Sequence, residues 1–196
     1  MNKPIFALRK RRASQGRGDG ESTLKASVVA AATAILPALL VIVALRVLAV
    51  GLYRVPTESM EPSIRVGDCI VGEKLSYRVR CPRAGEVVTF ESPEEPHITL
   101  VKRVVAVGGQ TVDVADGTLY VDGQPVWEPY ACDRSCVGED SEVTYPHIVR
   151  EGCVWVMGDN RENSRDSRWF GDVPASCVSS RVVLTYWPPE RVGPMR

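Results

Sequence analysis

The sequence predicts a mostly β, antiparallel and barrel-like body that is preceded by one N-terminal transmembrane helix. One long uncharged segment lies near the N-terminus, and short β-rich runs with turn residues between them follow it. No long amphipathic helical pattern appears after the uncharged segment. With 196 residues, of which 44% are hydrophobic, the chain has room for an anchor and one ordinary domain.

Residues 1–26 are predicted to form a basic cytoplasmic tail. They hold seven Lys or Arg residues against two acidic ones, although the formal net charge of the whole chain is zero. Residues 1–25 have the polar composition of a disordered segment. A basic tail beside an acidic body is also compatible with nucleic-acid binding, but the apolar segment that follows favours a membrane.

Residues 27–50 are predicted to form the membrane anchor. Ser27–Leu45 contains nineteen residues without a charge. As a helix it would span roughly 28 Å, close to the hydrocarbon thickness of about 30 Å. Because positive charge precedes this span, we expect a cytoplasmic N-terminus and an extracytoplasmic body over residues 51–196. A cleaved export signal ending near Ala49 is the alternative, but the apolar region of such a signal is normally about 7–15 residues long.

The body is predicted to consist of short strands that are bounded by turn residues. The predicted strands include Val87–Phe90, Leu100–Val107, Thr111–Val114, Thr118–Val121, Val154–Met157 and Arg181–Trp187. Asp122 and Gly123 follow one of these runs, and this dipeptide is typical of a two-residue hairpin turn. The body is therefore expected to form one compact antiparallel domain.

All six cysteines follow the apolar segment, where an oxidising compartment would permit disulfides. They are Cys69, Cys81, Cys132, Cys136, Cys153 and Cys177. Cys132 and Cys136 are the favoured pair because they bracket a short loop, and the sequence does not choose among the other pairings. Zinc is the alternative for these two residues, but no second ligand pair stands at metal spacing. We therefore predict neither a metal nor a cofactor.

Two segments carry candidate catalytic groups. Ser59 lies between Pro56 and Pro62, shortly after the anchor, so its hydroxyl is tethered near the membrane face. Lys102 and Arg103 are neighbours within a predicted strand, and neighbouring strand residues point to opposite faces. One of the two cations is therefore expected to face the core, where a lysine can lose its charge and act as a base.

A third segment, Met157–Gly171, is dense in polar and charged side chains and comes directly after an apolar strand. Its charges alternate in sign, so an internal ion pair such as Asp166 with Arg168 or Arg161 is expected. A loop held in this way would be rigid enough to orient a catalytic residue.

These three segments, in this order after an N-terminal span, resemble the motif boxes of bacterial type I signal peptidases. The first box corresponds to Ser59–Pro62, the second to Lys102 and Arg103, and the third to Gly158–Arg168. The resemblance extends from residue 27 to about residue 188. It implies a membrane-bound serine endopeptidase that removes signal peptides from exported preproteins.

The resemblance also implies a role for individual residues. Ser59 would be the nucleophile and a neutral Lys102 the general base. The Ser59 N–H and the Thr57 hydroxyl would form the oxyanion hole, and Ser164 would orient the Lys102 amine. The supporting residues would be Asp166, Arg168, Gly158 and Asp159. The substrate, with small residues before the cut, would pair with the backbone of Val55, Pro56, Thr99, Leu100 and Val101.

The sequence departs from the family pattern at a few positions. Thr57 replaces the commoner serine and Ser63 the commoner threonine, so the methyl group of Thr57 must fit beside the substrate. The expected partners are membrane lipid and exported preproteins, with the protein-translocation machinery as a further candidate and no nucleic acid.

Three rival functions are considered. The first is a surface cysteine protease or thiol transpeptidase, built on one of the cysteines together with His97 or His147. The second is a non-enzymatic anchored β-domain that binds exported chains or wall polymer. The third is a self-cleaving repressor, which shares a Ser/Lys β fold by analogy but is discarded because such proteins carry a DNA-binding helical domain and no membrane span.

Overall fold

The computed structural model describes residues 18–131 and 143–195. The chain divides into two compact units, residues 1–45 and 46–196. The described part of the first unit belongs to helix α1 (Gly18–Ala49), within which Ser27–Ala44 is long and apolar enough to cross a membrane. The helix begins before the apolar segment, so residues 18–25 are helical and not disordered as predicted. Once a helix is nucleated, each further residue adds a hydrogen bond at a lower cost than nucleation, so the helix extends even through Gly18 and Gly20, which have poor helix propensity.

The second unit is built from short antiparallel strands. The described strands are β1 (Val50–Arg54), β2 (Cys69–Glu73), β3 (Val87–Glu91), β4 (Thr99–Val107), β5 (Thr111–Ala115), β6 (Thr118–Val121), β7 (Gln124–Pro125), β8 (His147–Ile148), β9 (Cys153–Met157), β10 (Val173–Pro174), β11 (Val178–Trp187) and β12 (Gly193–Pro194). A four-residue helix, α2 (Ser167–Phe170), and three short 3₁₀ turns complete the described elements.

The strands form two sheets. The larger has the order β1-β2-β11-β3-β4-β9-β10, with β12 paired to β11, and the smaller has the order β7-β6-β5-β8. Every pairing is antiparallel, so the predicted mostly β antiparallel class is confirmed. All six predicted strands are present. The predicted hairpin at Asp122 and Gly123 joins β6 to β7, and both residues have positive φ, 53° and 73°.

Three apolar clusters form the core of the second unit. One contains Val88, Phe90, Val104 and Val156, and it packs between the strands and α2 with the help of Phe170. The other two are centred on Trp155 and Leu119, and on Met60, Ile64 and Ile70. The last of these clusters includes residues of the segment that carries Ser59, so hydrophobic burial fixes this segment to the sheet.

The structure describes four of the six cysteines. Cys69, Cys81, Cys153 and Cys177 are free thiols. Cys132 and Cys136 lie outside the described residues, so their predicted pairing stays a prediction.

Candidate active site

Lys102 and Arg103 lie in the middle of β4, and both side chains are buried. The sequence predicted only one buried cation. Alternation along the strand places Lys102 on the face of Val104, which belongs to one apolar cluster. Arg103 shares its face with Val101, which packs against another cluster. Both faces of the sheet are covered at this point, so each cation needs its own partner.

The partner of Lys102 is Ser59. The Lys102 Nζ lies 2.6 Å from the Ser59 Oγ, which is hydrogen-bond distance. Burial lowers the pKa of Lys102 to about 8, and Arg168 also lowers it, whereas the carboxylates of Asp166 and Asp159 oppose the shift. A large fraction of the amine is therefore neutral at mildly alkaline pH and can accept the hydroxyl proton.

The partner of Arg103 is Asp159, the second residue of the loop that follows β9. Arg103 Nε and Nη2 donate to the two carboxylate oxygens of Asp159 over 2.8 and 2.7 Å, and both side chains are buried. Arg103 Nη1 also donates to the Gly85 carbonyl at 2.9 Å. This forked pair fixes the start of the loop against β4.

The loop after β9 also contacts the Ser59 segment directly. The Asn160 N–H donates to the Ser59 carbonyl at 3.1 Å, and the Asn160 side chain donates to the Glu58 carbonyl at 3.3 Å. Asn163 Nδ2 donates to the Glu58 carboxylate at 3.1 Å. Gly158 packs so closely that a Cβ atom there would overlap the Ser59 carbonyl oxygen and the Ser164 side chain. A glycine is therefore required at this position.

Asp166 is the centre of the hydrogen bonds within this loop. Its buried carboxylate pairs with Arg168 through two bonds of 2.8 Å each. It also accepts hydrogen bonds from the Gly158 N–H at 2.9 Å and from the Ser164 hydroxyl at 2.7 Å. The Ser164 hydroxyl thus donates to Asp166, and among the described hydrogen bonds none joins Ser164 to Lys102 directly.

Thr57 lies beside the nucleophile candidate. Its Oγ1 is 3.4 Å from the Ser59 Oγ, and its side chain is exposed. Within the described residues, the Ser59 N–H has no hydrogen-bond acceptor. These two groups are therefore available to a bound oxyanion.

The residues predicted to bind the substrate lie in two segments. The segments differ in whether their backbone N–H and C=O groups are already hydrogen bonded. Thr99, Leu100 and Val101 pair with β3 on one side, but β9 pairs with β4 only from Arg103 onward. No described strand covers the other edge of Thr99–Val101. The backbone of Val55 is already occupied, because its N–H donates to the Asp68 carbonyl and its carbonyl accepts from the Gly67 N–H. Pro56, the next residue, is exposed.

Each of the two histidines lies near a carboxylate. The His97 side chain is almost fully exposed, and its ring is 3.9 Å from the Glu91 carboxylate. His147 Nε2 lies 2.8 Å from Asp172, and its ring packs on Trp155. In the part of the chain that the structure describes, neither histidine is hydrogen bonded to a cysteine or to Ser59.

Sequence reasoning missed two residues of this site, Glu128 and Tyr130. Glu128 forms an ion pair with the fully buried side chain of Arg161, and the Tyr130 ring lies 3.9 Å from the Arg103 guanidinium carbon. They follow β7, far along the chain from the loop that they contact. The only local signal is a carboxylate and a phenol set among apolar residues and Pro129.

A serine hydroxyl in hydrogen-bond contact with a buried amine of lowered pKa, on an antiparallel β body, is the arrangement of a serine hydrolase whose base is an amine. No group of three or more potential metal ligands is found among the described residues.

Comparisons with known proteins narrow this class. The family model described as "Signal peptidase, peptidase S26" matches residues 28–187. The probable signal peptidase I-1 of Synechocystis sp. is 36% identical over 147 residues, which cover 71% of this chain and 72% of that protein. Signal peptidase I of Mycobacterium tuberculosis is 35% identical over 199 residues, which cover 74% of this chain and 67% of that protein. A signal peptidase I from Enterococcus faecalis, whose crystal structure is known, is 30% identical to this chain, and the two structures match with a TM-score of 0.43. The match covers 53% of this chain and 97% of the Enterococcus faecalis chain.

The chain therefore belongs to the signal peptidase family, peptidase S26. It is a serine endopeptidase of the signal peptidase I kind, as the resemblance in its motif boxes predicted.

Proposed function

We propose that this chain removes N-terminal signal peptides from exported preproteins, with Ser59 as the nucleophile and Lys102 as the general base. The observation that carries the proposal is the 2.6 Å hydrogen bond between the Lys102 amine and the Ser59 hydroxyl. The lowered pKa of Lys102, for which burial is the main cause, supports the role of this amine as a base.

The first half of the reaction forms an acyl-enzyme. The neutral Lys102 amine accepts the Ser59 proton while the Ser59 Oγ bonds to the carbonyl carbon of the scissile peptide. The resulting ammonium then donates its proton to the peptide nitrogen, and the C–N bond breaks. The mature protein leaves with a new amino terminus, and the signal segment stays on Ser59 as an ester.

The second half releases the signal segment. Lys102, neutral again, accepts a proton from a water molecule while the water oxygen bonds to the ester carbon. The C–O bond to Ser59 then breaks, and the Ser59 oxygen takes the proton back from Lys102. The products are a free carboxylic acid and the original enzyme.

The negative oxygen that forms in each half needs hydrogen-bond donors. The free Ser59 N–H and the exposed Thr57 hydroxyl, which lies 3.4 Å from the Ser59 Oγ, are the proposed donors. Removing one such donor typically costs about 10² to 10³ in rate.

The uncovered edge of β4 at Thr99–Val101 is the proposed docking strip for the substrate backbone. An extended segment would add to this edge as an extra strand through main-chain hydrogen bonds. In the segment before Ser59, Pro56 and Thr57 are the better candidates, because the polar backbone groups of Val55 are already hydrogen bonded. Small side chains before the cut are the proposed specificity.

The proposed topology is a single-pass protein of the cell membrane. Residues 1–26 would be cytoplasmic, residues 27–50 would cross the bilayer, and residues 51–196 would lie outside the cytoplasm. The basic residues before Ser27 support this orientation. Membrane lipid would surround the anchor, and the translocation machinery is a proposed neighbour because it delivers the substrates.

The test is cleavage of a preprotein by the purified full-length chain in detergent, with the cut site read by N-terminal sequencing. Wild type is expected to release the mature chain, whereas Ser59→Ala and Lys102→Ala are expected to release none. Lys102→Arg should also be inactive, because a guanidinium does not lose its proton. If folded Ser59→Ala protein still cleaves at the same position, the nucleophile is another group and the cysteine-based rival gains support.

A further inference from the structure

Gly158 is held at both of its polar backbone ends. Its N–H donates to Asp166 at 2.9 Å, and its carbonyl accepts from Arg161 Nε at 2.8 Å. Its Cα faces the Ser59 carbonyl oxygen and the Ser164 side chain, without room for a methyl group. The position of Gly158 therefore determines where the Ser59 main chain and Ser164 can lie.

Arg161, which holds the Gly158 carbonyl, is itself held by Glu128. The Arg161 side chain is completely buried, and Nη1 donates to Glu128 Oε2 at 2.9 Å while Nη2 donates to Oε1. The Glu128 side chain is 9% exposed, so this forked ion pair is largely removed from water. The Tyr130 hydroxyl donates to the same Glu128 carboxylate at 3.2 Å.

Asp159, the next residue of the loop, is held in a parallel way. It pairs with Arg103 through two short hydrogen bonds. The face of the Arg103 guanidinium is covered by the Tyr130 ring, with 3.9 Å between the guanidinium carbon and the ring centroid. This distance is well within the range of a cation–π contact.

We propose that Glu128–Tyr130 is a positioning segment for peptide cleavage: it fixes Gly158 through Arg161 and Asp159 through Arg103. Two successive residues of the loop after β9, Gly158 and Asp159, are thus held by two arginines, and one residue of the segment contacts each arginine. The segment follows β7 of the small sheet. Its contacts with Arg103 in β4 and with Arg161 link the small sheet to the large sheet, which carries Lys102. This inference rests on the proposed function.

Removing Glu128 should affect the reaction because Glu128 fixes the charged end of Arg161. Removing the Glu128 carboxylate breaks a buried ion pair of Arg161, which is costly. Arg161 would then turn away from the Gly158 carbonyl, and Gly158 would no longer be fixed beside Ser59. A shift of about 1 Å at a reacting group can lower the rate about a hundredfold. The effect should appear in kcat, because Glu128 does not lie on the proposed substrate edge.

The experiment measures kcat and KM for a signal-peptide substrate with the full-length chain and two variants of Glu128. Glu128→Gln keeps the shape and one acceptor oxygen but loses the charge, and Glu128→Ala removes the whole carboxylate. If the loop after β9 is displaced, kcat should fall about tenfold in Glu128→Gln and about a hundredfold in Glu128→Ala. KM should change less than about threefold in both variants. Glu128→Gln is the milder change, so it keeps the test informative if Glu128→Ala does not fold.

The matched control is Glu86→Gln. Glu86 forms a similar forked ion pair with Arg80, over 2.6 and 3.0 Å, and no described hydrogen bond joins either side chain to the loop after β9. This variant is expected to lose thermal stability but to keep the wild-type kcat. If Glu128→Gln behaves in the same way, with a lower melting temperature and an unchanged kcat, its ion pair is only structural and the proposal is overturned.

A double-mutant comparison checks that Glu128 acts through Arg161. In an Arg161→Met background, Glu128→Gln should lower kcat less than about twofold further, because the intermediary is already absent. Multiplied losses would show that Glu128 acts by another route.

Tyr130→Phe keeps the ring on Arg103 and should retain a higher kcat than Tyr130→Leu. Equal kcat values for the two variants would remove Tyr130 from the proposal. If the wild-type chain itself fails to cleave, the proposed function is wrong, which is a different result from an unaffected variant.

Discussion

The Lys102 amine and the Ser59 hydroxyl lie 2.6 Å apart although 43 positions separate them in the chain. They come from different parts of the fold: Lys102 from the centre of β4, and Ser59 from the connection between β1 and β2. The apolar residues around Ser59 and the loop after β9 hold the connection in place.

The rate of cleavage should depend on pH through the protonation of Lys102. The pKa of Lys102 is lowered to about 8 by burial, so the neutral fraction should rise from about a tenth at pH 7 to about nine tenths at pH 9. We expect kcat/KM to increase about tenfold over this range and then to level off. Activity that stays constant from pH 6.5 to pH 9, in protein shown to be folded, would contradict the assignment of Lys102 as the base.

Lys102→Met should be inactive but more stable than the wild type below pH 8. The native state releases the Lys102 proton near pH 8, whereas the unfolded chain holds it up to about pH 10.4. Between these values the unfolded state binds more protons, so wild-type stability rises with pH. The variant should therefore gain up to about 3 kcal/mol near neutral pH, and this advantage should shrink toward pH 10. Thermal unfolding at two pH values measures the difference, and an equal gain at both would argue against a buried ammonium.

Gly158→Ala should greatly reduce activity. The added methyl group would overlap the Ser59 carbonyl oxygen and the Ser164 side chain, so the nucleophile segment must move. We expect kcat to fall about a hundredfold. Gly193→Ala is the control, because an added Cβ there meets no described atom within 4 Å and Gly193 has no positive φ. Similar kcat values for the two variants would mean that close packing at Gly158 does not matter for catalysis.

Thr57 should contribute through its hydroxyl and not through its methyl group. Thr57→Val keeps the shape but removes the donor, and kcat should fall about 10²- to 10³-fold. Thr57→Ser keeps the donor and should retain most of the activity. The measurement is kcat for each variant with the same preprotein. A Val variant as active as the Ser variant would place the oxyanion donor elsewhere.

Much of the fold could be predicted because its strands have local signals. The β-branched run of β4 and the Asp122–Gly123 turn are readable without tertiary information. β1 was missed because Val50–Arg54 continues directly from the apolar anchor, and the single glycine there, Gly51, does not separate the two segments. The local signal of β2 is weaker, because Cys69–Glu73 contains a glycine and a charge and its strand character depends on pairing with β1 and β11.

The site shows the same division between local and distant information. Ser59, Lys102 and the Gly158–Arg168 loop could be recognised from short motifs. Glu128 could not, because its partner Arg161 is 33 positions away and an isolated glutamate gives no sign of burial. The burial of both Lys102 and Arg103 was also beyond the sequence, since strand alternation alone does not say that both faces of a sheet are covered.

The proposed docking of the substrate on the uncovered edge of β4 has a consequence for which chains can be processed. An edge that binds main-chain amides and carbonyls makes few demands on side chains, so many unrelated precursors can share one enzyme. It does demand that the bound stretch be unwound, because a helical segment has already used its amides internally. A precursor whose helix continued through the cleavage point would therefore be spared until that turn opened.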